Sequence, residues 1–271
     1  MHTFIKEFFG LKFEYFGNDC MAKGSVGVGK EWESHITNFI KLWNKIYPIQ
    51  NLVDVGANFG YHTLLFAREI DGKVYAFEPQ LQNFKLLENN VKMNDMDNVI
   101  LFNFGCGDEY CDIKMPLIDI VPNTNMGDIT PNVAIYHHQF TETKSVLLDE
   151  ELKLISPIDV IKIDVQGWEK KVLIGCRNIL QTYKPLLIVE FEWFQLKKTN
   201  TTCKELFDFI RNNNYYIFYL EYHYPSDHVC IHNDKLDDFR SNFQTFIFPH
   251  TNNNSINNNM EHGVTEKIVV V

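Results

Sequence analysis

The stretch "VDVGANFGYHT", Val53 to Thr63, decides how the rest of the chain is read. An apolar run ends around Asp54, breaks into a turn bracketed by Gly56 and Gly60, and continues in helix-forming residues. A buried strand, a glycine turn and a helix in that order make a nucleotide-binding unit, with the ligand beyond the carboxyl end of the strand. The dinucleotide fingerprint G-x-G-x-x-G needs glycine at its later positions so that backbone can approach a pyrophosphate. Here those positions hold Asn58 and Tyr61, and no Lys or Arg stands nearby. Asp54 beside a phosphate would cost Coulomb energy. A ligand with an ammonium group suits Asp54 better.

The second strand, "KVYAFEP", ends in Glu78 and Pro79. A carboxylate there can accept from both hydroxyls of a ribose. A nucleoside with a ribose, no phosphate and an amino-acid end is S-adenosylmethionine. The competing glycine stretch, "GSVGVGKE" from Gly24 to Glu31, nearly matches a phosphate loop. Its last position is Glu31, so the magnesium-binding hydroxyl is missing, and no apolar strand precedes it.

A βα alternation runs outward from the glycine turn. Strands are expected at "NLVDVG", "KVYAFEP", "NVILFNFG", "IDVIKIDV" and "PLLIVEFE", with "YYIFYLEYH" and "HVCIHND" closing the series. Helices are expected at about 62–69, 81–94, 167–180 and 203–212. Near-continuous apolar strands are the mark of a parallel sheet covered on both faces, hence a doubly wound α/β fold with right-handed crossovers. Residues 1–50 read as a helical preamble, with Ile36, Phe39, Ile40 and Trp43 on one helical face. Residues 51–250 read as the main domain, and the Asn-rich tail 251–271 as disordered.

The formal net charge of -10 makes nucleic acid a poor default partner, because phosphate contacts need clustered Lys and Arg. The six cysteines form no CxxC pair and read as free thiols in a reducing compartment. The N-terminus lacks the apolar core of a signal peptide, and no stretch is long enough to span a membrane. The expectation is a cytoplasmic protein.

Several segments, quoted in order, are familiar: "VDVGANFGYHTLLFA", "VYAFEPQLQNFKLLENNVKMN", "SVLLDE", "IDVIKIDVQGWEKKVLIG" and "PLLIVE". They resemble the FkbM family of S-adenosylmethionine-dependent methyltransferases over about residues 30–192. The resemblance implies a seven-stranded class I methyltransferase sheet with its last strand antiparallel. It also implies O-methylation of a sugar, glycan or similar polyhydroxylated small molecule. By position it places Asp54, Gly56, Asn58 and Gly60, with Tyr61 and Thr63 in the same motif, at the methionine end of the cofactor. Glu78, followed by Pro79, takes the ribose, and Cys106 and Asp108 in "GCGDE" lie where adenine sits. Gln166 departs from the family, which usually has an acid there.

Methyl transfer to a hydroxyl needs alignment and a place for the acceptor's proton. Asp164 and Glu190 end neighbouring strands, so both are candidate catalytic carboxyls, with Asp164 also touching cofactor. The same two oxygen donors are the only candidates for a Mg²⁺ site. Asp164 as a mere helix cap is the plainer alternative. Glu169 and Glu192 read as solvated positions. Between strands three and four, residues 109–148 carry prolines and asparagines and no strong helix, and loops over a fixed scaffold carry specificity. Asn123, Asn125 and His137 are therefore candidate acceptor contacts. The rival readings are methylation of an RNA ribose or cap hydroxyl, a nicotinamide oxidoreductase, and a cofactor-binding module without turnover.

Overall fold

The computed structural model describes residues 2–117, 129–131, 139–220, 226–249 and 266–269. The central sheet is built from β1 (Asn51–Val55), β2 (Lys73–Phe77), β3 (Val99–Phe102), β4 (Val160–Ile163), β5 (Leu186–Phe191), β6 (Tyr215–Tyr219) and β7 (Ser226–His232). Their spatial order is β3-β2-β1-β4-β5-β7-β6. The pairs from β3 through β5 are parallel, and β7 runs antiparallel to both neighbours. The order reverses between β1 and β4, which opens a crevice at their carboxyl ends.

The expectation of seven strands falls short. Glu266–Ile268 pairs with β6 and Ile247–Pro249 pairs with Glu266–Ile268, so the described sheet has nine strands. Part of the tail expected to be disordered is thus a strand paired on both sides, with Ile247–Pro249 at the sheet edge, while residues 250–265 lie outside the described residues.

The principal helices are α1 (Ser34–Ile46), α2 (Tyr61–Glu69), α3 (Leu81–Met93), α4 (Glu169–Ile174), α5 (Arg177–Thr182), α6 (Trp193–Lys198), α7 (Cys203–Asn212) and α8 (Asn233–Phe243). They cover both faces of the sheet. One core joins β1, β4 and β5 to Val172, Leu173, Leu206 and Ile210 of α4 and α7. The other joins the opposite faces of the strands to Ile36, Phe39, Ile40 and Trp43 of α1 and to Phe239 and Phe243 of α8. The apolar face read for α1 is therefore the buried one. The single helix expected over 167–180 is two. The chain breaks at Gly175, where a Cβ would lie 1.9 Å from the Gly107 carbonyl oxygen, so close passage of two backbones interrupts the helix.

The helical reading of residues 1–50 holds only in part. Thr3–Phe8 and Leu11–Phe16 form an antiparallel hairpin. Its turn residues Phe9 and Gly10 have φ of 54° and 73°, the positive values that a two-residue hairpin turn uses. Leu11, Phe13 and Tyr15 pack on Tyr61, Leu64 and Leu86. Residues 109–148, expected to be loop, contain strands Cys111–Pro116 and Phe140–Val146. These form a small three-stranded sheet with Gly105–Cys106. Among the described residues no helix is long and apolar enough to cross a membrane. All six cysteines are free thiols.

Candidate active site

At the crevice beyond β1 and β4 lies a cavity of about 300 Å³. Its floor is the glycine turn. Gly56 and Ala57 donate their N–H groups to the Phe77 carbonyl at 3.0 Å, which ties the turn to the end of β2. Gly56 has φ +85°, and a Cβ there would fall 1.8 Å from the Asp164 carbonyl oxygen. Only glycine lets the β1 and β4 ends come this close. Asn58 takes a left-handed φ of 53° and its N–H donates to Glu78 Oε2 at 2.8 Å. Gln80 N–H donates to Glu78 Oε1 at the same distance. Burial nonetheless pushes the Glu78 carboxyl up to about 7, against these two donors. Each of its oxygens keeps a second lone pair for a ligand hydroxyl.

The cavity brings together Gly56, Asn58, Tyr61, Glu78, Pro79, Cys106, Asp164 and Glu190 from the residues predicted by sequence. Four others do not line it. Asp54 is fully buried behind the wall. Its Oδ2 accepts from Thr63 Oγ1 at 2.6 Å, so Thr63 is likewise a support, and Gly60 serves as the left-handed cap of α2. Asp108 pairs with Lys171 at 3.4 Å instead of facing the cavity. Asn123, Asn125 and His137 lie outside the described residues.

The correction at Asp54 has a clear physical reason. The parallel register of β1 and β4 sets Asp54 opposite Lys162. The Lys162 ammonium, 4% exposed, lies 3.5 Å from Asp54 and 3.6 Å from Asp164. The cation expected from a ligand is supplied by the protein itself. Burial alone would discharge this lysine, but the two carboxylates outweigh it and hold its pKa above the ordinary value.

Asp164 and Glu190 converge as expected. Gln166, held at φ 54°, donates through Nε2 to Asp164 Oδ1 at 2.9 Å and to Glu190 Oε2 at 3.3 Å. The two carboxyls separate in acidity. Burial works against ionising Asp164, but Lys162 and hydrogen bonds from Glu190 and Gln166 hold it below its usual range. Burial, then the charges of Asp164 and Asp227, push Glu190 well up. Asp164 is thus held toward its ionised form and Glu190 toward its protonated form.

That arrangement does not fit Mg²⁺. Asp164 is already paired with the Lys162 ammonium, and Gln166 donates into both carboxyls. No group of three or more metal-binding side chains occurs among the described residues.

Glu169, read as solvated, is 2% exposed. Its Oε1 accepts from Val165 N–H at 3.1 Å and Gly167 N–H at 3.0 Å, clamping the loop that carries Asp164 and Gln166. Burial pushes its carboxyl up to about 7. The sequence reading also passed over Lys162, Gln80 and Glu33. A lysine inside the apolar strand "VIKID" was the available signal, since buried lysine is rare unless paired. Ser25 of the glycine stretch Gly24–Glu31, which nearly matches a phosphate loop, and its flanking residues Met21, Ala22, Trp32 and Glu33 line the cavity.

Comparison with solved structures gives distant likenesses. A methyltransferase FkbM from Methylobacillus flagellatus KT is 17% identical, with a TM-score of 0.46; the match covers 67% of this chain and 43% of that one. This chain therefore spans less than half the length of that relative. A precorrin-6y C5,15-methyltransferase from Geobacter metallireducens GS-15 is 12% identical over 73% of this chain and 87% of the other, with a TM-score of 0.46. An O-methyltransferase from Bacillus cereus, solved with SAH, is 13% identical over 74% and 82%, with a TM-score of 0.45. No curated protein matches the chain. The family model described as the methyltransferase FkbM domain matches residues 54–217, from the Asp54 of the glycine turn to the middle of β6, and the chain belongs to that family.

Proposed function

We propose that the protein is an S-adenosylmethionine-dependent O-methyltransferase acting on a hydroxyl of a small polyhydroxylated acceptor such as a sugar or glycan, with residues 51–250 as its catalytic domain. The observation that carries this reading is the Glu78 carboxyl. It is buried at the cavity wall, fixed by two backbone N–H groups, and retains lone pairs for a ribose diol. The unpartnered Asn58 Oδ1 at the same wall offers a further acceptor. Side chains at Asn58 and Tyr61, where a pyrophosphate would need glycine, disfavour a nicotinamide dinucleotide.

The cofactor supplies an electrophilic methyl group on a sulfonium. The protein's part is alignment and proton management. Asp164, ionised and facing the cavity, takes the ammonium role first read for Asp54. Its free lone pairs also accept a hydrogen bond from the acceptor hydroxyl. As that oxygen becomes bonded to carbon its proton grows acidic, so a carboxylate of lowered pKa can take it. Glu190, held toward its protonated form, donates to Asp164 and fixes its direction. Cys106, buried at the cavity wall, supplies an apolar surface for the adenine end.

The test is transfer of labelled methyl from S-adenosylmethionine to a panel of sugars, RNA and peptides. Labelling of hydroxylated small molecules that drops by about 100-fold or more in Asp164→Asn supports the reading. Labelling of RNA alone would assign the acceptor to a ribose or cap hydroxyl and contradict it.

A further inference from the structure

The cavity is lined by several carboxyls. Glu33, Asp164, Glu190 and Glu192 line it, and Asp227, paired with His35 at 2.6 Å, sits opposite Glu190 in the β5–β7 register. The cation lining it, Lys162, is already shared between Asp54 and Asp164. Among the described residues no Arg and no other Lys lines the cavity.

Two further observations point to a ligand group here. Trp32 lines the cavity beside Glu33 and is 37% exposed. An indole face attracts cations. His62 also lines the cavity and is 7% exposed, and its Nδ1 has no hydrogen-bond partner. A buried ring nitrogen left in that state calls for a polar group from a ligand. The other nitrogen, Nε2, is 2.9 Å from Glu33 Oε2 and holds that carboxyl in place. Glu33 itself is kept at a left-handed φ of 45° and lies outside the family-matched span 54–217.

We propose that the acceptor carries a protonated amine beside the hydroxyl that is methylated, and that Glu33, backed by His62 and next to Trp32, is the residue that binds the ammonium. The inference rests on the methyltransferase reading and narrows its substrate class to amino alcohols and amino sugars. Phosphorylated acceptors are disfavoured by the same carboxyls. The crowding that pushes Glu190 upward, with Asp164, Asp227 and Glu33 all contributing, is relieved when a cation enters.

The experiment compares labelled methyl transfer to hexosamines and amino alcohols, their N-acetylated forms, and hexose phosphates. The free amines should be favoured by about tenfold or more in kcat/KM, the worth of one charge-assisted hydrogen bond. Glu33→Gln should erase the preference and Glu33→Lys should shift it toward the phosphates. Calorimetric affinity for S-adenosylmethionine should stay unchanged in both variants, which also reports that they fold. Equal or better transfer to acetylated or phosphorylated forms, an undiminished preference in Glu33→Gln, or no transfer to any amine would overturn the inference. Absence of S-adenosylmethionine binding by the wild type would instead overturn the methyltransferase reading beneath it.

Discussion

Lys162, which lines the cavity, and Asp54, buried behind its wall, form an ion pair 3.5 Å apart. The pair exists because β1 and β4 are parallel neighbours in a register that faces the two residues across the ladder. It turns what looked like a ligand-binding carboxylate into part of the scaffold. Lys162 then passes its charge on to Asp164, the carboxylate that does reach the cavity.

Lys162→Met should therefore be severe. It strands Asp54, 0% exposed, without its cation. Removing one partner of a buried pair costs about 3–5 kcal/mol. Denaturant unfolding should show that loss, and the double variant Asp54→Asn with Lys162→Met should recover much of it. A single variant as stable as wild type would remove Lys162 from the scaffold role.

Glu78 makes cofactor affinity depend on pH. Burial pushes its carboxyl up to about 7 in the folded protein, above the ordinary 4.5. The folded state thus holds this proton more tightly than the unfolded chain, and the group favours folding at low pH. That contribution is complete below about 4.5 and is lost as pH rises through about 7. Binding has the opposite sign, because a ribose diol donates to the ionised form. Affinity for S-adenosylmethionine should rise as pH is raised through about 7, and Glu78→Gln should weaken binding and flatten the dependence. Calorimetry across that range decides; a wild-type affinity that falls with pH would contradict the assignment.

Asn90 fastens the N-terminal hairpin to the nucleotide turn. It is fully buried, and its Nδ2 donates to the carbonyls of Phe59 at 2.8 Å and Glu14 at 2.9 Å. Its Oδ1 accepts from Glu14 N–H at 2.5 Å. One turn later, Asn94 makes the same exchange with Lys12 at 2.7 Å in both directions. Asn90→Ala leaves several buried backbone groups unpaired, a loss of about 1–3 kcal/mol. Thermal unfolding should fall accordingly, and amide exchange in Leu11–Phe16 should speed up. Unchanged exchange there would show that the hairpin is held by its apolar face alone.

The central sheet was legible because parallel strands buried on both faces write themselves as apolar runs, and Gly56 and Gly60 marked the turn between them. The hairpin runs against the helical reading of residues 1–50, although "TFIKEFFGLKFEYF" alternates at the period of strands around a glycine. The convergence of Asp164 and Glu190 followed from their places at adjacent strand ends. The diversion of Asp54 did not, because it depends on which residue of β4 stands opposite, and register between distant strands is not written in either one alone. Glu169 was misread for a similar reason: one turn of helix looks solvated until the 165–167 loop folds over it.

The most direct test of the account is calorimetric titration of the wild-type protein with S-adenosylmethionine and, separately, with NAD. The account predicts saturable binding of S-adenosylmethionine, weakened by about tenfold or more in Glu78→Ala, and none of NAD. Binding of NAD without binding of S-adenosylmethionine would contradict it.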